Sequence, residues 1–71
     1  MDVRKRIGLN VQNLRRDKSL SQEELAHRAD IHPTYLSGIE RGKRNPSVLV
    51  LQRIALSLDA DIEDLVQNRH K

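Results

Sequence analysis

The stretch from Ser21 to Gly42, SQEELAHRADIHPTYLSGIERG, carries its own start and stop signals, and they leave the backbone little freedom. Ser21 and Glu24 form a Ser-x-x-Glu capping box ahead of Leu25, Ala26 and Ala29; in such a box each side chain satisfies a backbone amide that the helix leaves free. A helix therefore starts at Gln22. It lasts about two turns, because "DIH" follows and then Pro33, a residue welcome at the first position of a helix and hostile to its interior. The next helix runs from Pro33 to Arg41, with Gly42 as its C-terminal stop. Two short helices joined by so few residues are too tightly linked to lie antiparallel. They must cross steeply, which describes a helix-turn-helix over residues 21–41.

The flanking sequence extends the same helical pattern. Val3, Ile7, Val11 and Leu14 recur at intervals that place them on one stripe of a first helix, ended by "RDKS". Gly8 within it costs about 1 kcal/mol relative to Ala, which predicts fraying of the first turns. Ser47 caps a fourth helix whose Val48, Leu51, Ile54, Ala55 and Leu58 face one way, and Asp61 caps a short fifth helix carrying Ile62, Leu65 and Val66. No linker or repeat interrupts the chain, so the expectation is an all-α, five-helix single domain over residues 1–71. At 71 residues its core is marginal, and with no Cys and Tyr35 as its one aromatic residue it must hold by thin helix-on-helix packing or with help from a second subunit. The absence of thiols fits a reducing cytoplasm, and the longest wholly apolar run, Val48 to Leu51, is far too short to cross a membrane.

The formal net charge of +3 is modest, but its distribution is uneven. Residues 1–22 carry six basic and two acidic groups, residues 41–45 carry Arg41, Lys43 and Arg44 with no acid, and residues 59–64 carry four acids and no base. A positive end of this kind suits a polyanion. Enzymatic chemistry has no comparable support: there are no paired carboxylates in a plausible pocket, no Gly-rich phosphate loop, and no Ser or Cys nucleophile with a credible base. His27, His32 and His70 have no metal-ligand spacing, so no metal, cofactor or small-molecule ligand is expected.

The segment LSQEELAHRADIHPTYLSGIERGKRNPSVLVLQRIALSLDADIEDLV resembles the phage repressor and Cro type of DNA-binding domain, also called Xre-like, with the likeness running from about Val11 to Val66. Leu25, Ala29, Ile31, Leu36 and Ile39 occupy the motif's apolar positions, and Ala26 its small one. The resemblance implies a lambda-repressor-like fold and a sequence-specific regulator that binds an operator in double-stranded DNA as a homodimer. It also implies that Glu40 pairs with Arg15 on the first helix as a structural ion pair. Two departures stand out. Asp30 occupies the turn position where the family prefers Gly, and Pro33 stands where relatives often place a long base-reading side chain. Within the family, TYLSGIERGKRNPS most resembles the controller proteins of restriction and modification systems, regulators of their own operon. Stand-alone repressors share most of these residues, and so do antitoxins whose main task is to bind a protein.

Particular residues acquire expected roles on this reading. Gln22, at the N-terminus of the second helix, can add a donor to a phosphate or stay a solvated side chain. With Pro33 in place, reading falls to His32, Thr34, Tyr35 and Ser37 on the first turns of the third helix. Their hydroxyls can meet base edges or phosphates, while Tyr35 could equally be a packing residue, and His32 could read an acceptor or cap the helix. Arg41, Lys43, Arg44 and Asn45 read as a clamp on the DNA backbone or the adjoining minor groove. Leu49 and Leu56 on the fourth helix, with Ile62 and Val66 on the fifth, are the expected dimer surface.

Overall fold

Local side-chain chemistry fixes where each helix begins. In the computed structural model, which describes residues 2–68, the helices are α1 (Val3–Asp17), α2 (Gln22–Ala29), α3 (Pro33–Glu40), α4 (Val48–Ser57) and α5 (Ile62–Val66), with no strand among the described residues. His70 lies outside them. Asp2 accepts from the Arg4 amide at 2.7 Å, and Ser47 Oγ accepts from the Val50 amide at 3.2 Å. Ser21 and Glu24 close the capping box at 3.0 and 2.9 Å. The Ser21 amide holds the Glu24 carboxyl below its ordinary range. At α5 the Asp61 amide donates to Asp64 Oδ2 at 3.0 Å, and Glu63 and Asp64 place their charges in the helix's first turn, where the dipole favours anions.

The helix ends are equally specific. Asp30 adopts the left-handed conformation (φ 56°, ψ 47°) that closes α2, which its short polar side chain tolerates better than most. Gly42 (φ 73°) ends α3 in a Schellman turn, the Lys43 amide donating to the Gly38 carbonyl at 2.8 Å and the Gly42 amide to the Ile39 carbonyl at 3.0 Å. Arg41 is the half-in residue at this end, so α3 stops one residue earlier than the sequence suggests.

α1 packs against α3 and α5, α2 against α3 and α4, and α4 against α5. Val11, Leu25, Leu36, Ile39, Ile54, Leu58 and Leu65 are fully buried where these layers meet. Each such side chain contributes about 1.5 to 3 kcal/mol of burial. Two apolar positions assigned to the core face are instead exposed, Val3 at 50% and Val48 at 68%. Both lie at the first residue of their helix, beyond the reach of the neighbouring elements. Leu20, in the α1–α2 turn, is buried in their stead.

Gly8 has a role that periodicity does not reveal. A Cβ there would stand 2.4 Å from the Ile39 carbonyl oxygen and 2.6 Å from that of Glu40, so α1 can approach the end of α3 only because this residue has no side chain. The helix cost of Gly8 is offset by the close approach it permits.

Polar groups complete the assembly. Arg15 Nε donates to Glu40 Oε2 at 2.7 Å and Arg15 Nη2 to Glu40 Oε1 at 3.0 Å, the forked geometry that matches a guanidinium to a carboxylate. Arg15 Nη1 adds a bond to the Leu20 carbonyl at 2.8 Å, and the pair is buried, with only 1% of the Glu40 side chain exposed. The hydrogen bonds to Glu40 hold the Arg15 pKa above its ordinary value, against the opposing effect of burial. Removing one partner of such a pair leaves an uncompensated buried charge. Glu40→Ala is therefore expected to cost about 3 to 5 kcal/mol and to lower the melting temperature by more than about 10 °C. Thermal denaturation followed by circular dichroism checks this, and a melting temperature within a degree of wild type would refute it.

Candidate nucleic-acid interface

One side of α3, with Pro33 and Thr34 exposed and Ser37 half-buried, faces outward, while its other side is locked into the core through Leu36, Ile39 and Glu40. Thr34 is exposed and Ser37 half-buried, and neither hydroxyl is engaged by another described residue. Together with Ser21, Gln22, Glu23 and Pro33 they line an open cleft between the start of α2 and the start of α3. A hydroxyl can donate or accept, so this cleft can meet either a base edge or a phosphate oxygen.

Gln22 is half-buried, and its Nε2 donates to Glu40 Oε1 at 3.1 Å. An amide nitrogen carries two protons, so one remains for an outside acceptor. The same carboxylate thus orients Gln22 and anchors Arg15. His32 is the N-cap of α3: its Nδ1 accepts from the Thr34 amide at 3.0 Å, while the ring remains exposed.

The basic loop is less free than its sequence suggests. Arg41 Nε turns back to the Ser37 carbonyl at 3.4 Å. The Arg44 guanidinium lies 5.9 Å above the Tyr35 ring centroid, and its stem crosses Gly38 so closely that a Cβ there would meet Arg44 Cγ at 2.6 Å. Tyr35 is half-buried against the core and serves as the platform for Arg44. Such a cation–π contact is worth about 0.5 to 1 kcal/mol at an exposed site. Lys43 and Asn45 are exposed, with no side-chain hydrogen bond among the described residues.

On the far flank, Leu49 and Leu56 are 75% and 66% exposed. Ile62 and Val66, expected from the sequence to share the dimer surface with them, are half-buried and pack partly against the core. Leu65 takes the core face of α5 and Glu63 the outer one, so Ile62 and Val66 each offer only an edge.

Two anchoring residues gave no signal in the sequence. Arg53 of α4 donates from Nε to the Ala29 carbonyl at 2.9 Å and from Nη2 to the Asp30 carbonyl, covering the end of α2 where the chain turns toward α3. Asn10 of α1 donates from Nδ2 to the Leu65 and Gln67 carbonyls at 2.9 and 2.7 Å, holding the end of α5. Both contacts join residues remote in sequence, and neither residue type is unusual on a helix surface. Among the described residues no group of three or more His, Cys, Asp or Glu could hold a metal ion, and no helix is long and apolar enough to cross a membrane.

Comparison with known proteins places this arrangement. The regulator y4dJ of Sinorhizobium fredii, an uncharacterized protein of the HTH-type transcriptional regulators, is 46% identical over 66 residues, which cover 93% of this chain and 86% of that protein. The crystal structure of the restriction-modification controller protein C.AhdI from Aeromonas hydrophila superposes with a TM-score of 0.85 at 35% identity, covering 87% of this chain and 94% of that one. SinR, the master regulator for biofilm formation, crystallised in complex with DNA, superposes with a TM-score of 0.82 at 35% identity, covering 86% and 98%. The helix-turn-helix family model spans residues 11–65, from the middle of α1 to Leu65 of α5. With two short capped helices joined by a tight turn and relatives of matching length, the chain belongs to the helix-turn-helix family of transcriptional regulators.

Proposed function

We propose that the chain acts as a homodimer on an operator in double-stranded DNA, inserting α3 of each protomer into the major groove, and that it regulates its own operon as restriction-modification controllers do. DNA-binding transcriptional regulation is the activity of its family, and the likeness to C.AhdI at nearly full length supports the controller role. The observation that carries the reading is the outer side of α3, with exposed Thr34 and half-buried Ser37 uncommitted, on a helix otherwise locked by Glu40. The protein so read is a cytoplasmic binding module and not an enzyme.

Each group has a distinct task in this complex. Thr34, Ser37 and His32 face the base edges, Gln22 gives its second amide proton to a phosphate, and Lys43 and Asn45 meet the backbone beyond the end of α3. Arg41 and Arg44 lie beside them, with Arg44 held against Tyr35 until a phosphate or the minor groove attracts it. A single short reading helix buries too little surface for useful operator affinity, whereas a dimer spanning half-sites about 34 Å apart doubles it. Leu49 and Leu56, with the outer edges of Ile62 and Val66, supply the apolar surface for that dimer.

Thr34→Ala is expected to cost about 1 to 3 kcal/mol on the specific site and little on random duplex, as measured by titration of both DNAs; equal losses would show that Thr34 does not read bases. Lys43→Ala should weaken binding to every duplex and reduce the salt slope of log K by about 1 per lost phosphate contact, and an unchanged slope would remove Lys43 from the clamp. Sedimentation at micromolar concentration should find a dimer that Leu56→Asp or Val66→Asp dissociates. A wild-type protein monomeric both free and on its operator would overturn the dimer, and a dimer indifferent to both substitutions would move the interface elsewhere.

A further inference from the structure

We propose that His32 both starts α3 and reads a hydrogen-bond acceptor on a base edge, as a neutral imidazole whose tautomer is selected by the protein's own backbone. The inference rests on the placement of α3 in the major groove and adds to it a named donor and the class of base edge that the donor accepts.

The backbone of His32 is set before its side chain acts. A residue that precedes proline is driven to extended conformation, and His32 has φ −70° and ψ 139°, the geometry that an N-cap requires. Pro33 has no amide proton, so the first free donor of α3 is the Thr34 amide, and His32 Nδ1 accepts it at 3.0 Å. A ring nitrogen that accepts a hydrogen bond cannot carry a proton. The neutral ring proton therefore resides on Nε2, at the opposite side of an exposed ring. Both the backbone and the ring are restrained before DNA arrives, so little conformational freedom is lost on binding.

Chemically, the exposed end of His32 is a donor and nothing else. It can pair with guanine N7 or O6, adenine N7 or thymine O4, and it meets the exocyclic amine of cytosine as donor against donor. Pro33 also rigidifies the residue before it, so the donor is held in place at the very start of α3. A phosphate oxygen is also an acceptor, but it carries no sequence information, and the two targets give different signatures.

Sites selected from random duplexes by the wild-type protein provide the test, with His32→Asn and His32→Ser as variants. Both replacements retain a good N-cap acceptor, and their polar atoms fall short of the position of Nε2. The melting temperature and the hydrogen-exchange protection of the Thr34 amide should stay near wild type in at least one of them. In that variant, affinity for the selected site should fall about tenfold, preference at one base pair of each half-site should relax, and affinity for random duplex should be nearly unchanged. Equal loss on selected and random DNA would identify a phosphate contact and overturn base reading by His32. Selection identical to wild type would reduce His32 to a cap and also overturn it, leaving the role of α3 intact. A wild-type protein that selects no sequence at all would instead remove the reading of α3 itself, and this inference with it.

Discussion

The Glu40 carboxylate is the point on which the arrangement of three helices depends. Placed at the end of α3 and almost wholly buried, it would be costly if unpaired, and it is satisfied by two bonds from Arg15 of α1 and one from Gln22 of α2. Arg15 in turn reaches the Leu20 carbonyl in the turn between α1 and α2. Apolar packing alone would tolerate small rotations of α3 against its neighbours, because hydrophobic contact has little directionality. A forked ion pair does not. The cluster therefore fixes the angle of α3 against its neighbours, and Gly8 admits α1 close enough for it to form.

What the sequence reveals and what it conceals divide along contact range. Ser21 with Glu24, Asp30, Pro33, Ser47 and Gly42 all act on backbone within a few residues of themselves, so their chemistry is visible in order along the chain. Arg53 to Ala29 and Asn10 to Leu65 join residues far apart in sequence, and nothing in an Arg or an Asn on a helix announces the carbonyl it will meet. Periodicity correctly separates Leu51 from Leu56. It misplaces Val3 and Val48, because a helical stripe does not show how far the neighbouring elements extend. The same limit applies at the interface: Thr34 and Ser37 are legible as an outward pair, whereas the seat of Arg44 on Tyr35 and Gly38 is not.

Charge in this protein is organised locally before it is offered to a partner. The acids near the C-terminus are partly explained by α5, whose first turn they cap and whose dipole they complement. The loop cations are likewise restrained, Arg41 by the Ser37 carbonyl and Arg44 by an aromatic face.

The bonds made by Asn10 give α1 a significance beyond packing. This helix of 15 residues, about 22 Å long, is tied through Arg15 to the end of α3 and through Asn10 to the end of α5. In the proposed dimer, with α5 at the edge of the subunit interface and α3 in the groove, α1 would join the two. The separation of the two α3 helices would then follow from how α1 is held at its two ends. On that reading operator sequence and operator spacing are separable traits: substitutions on the outer face of α3 would change which bases are read without altering the number of base pairs between half-sites.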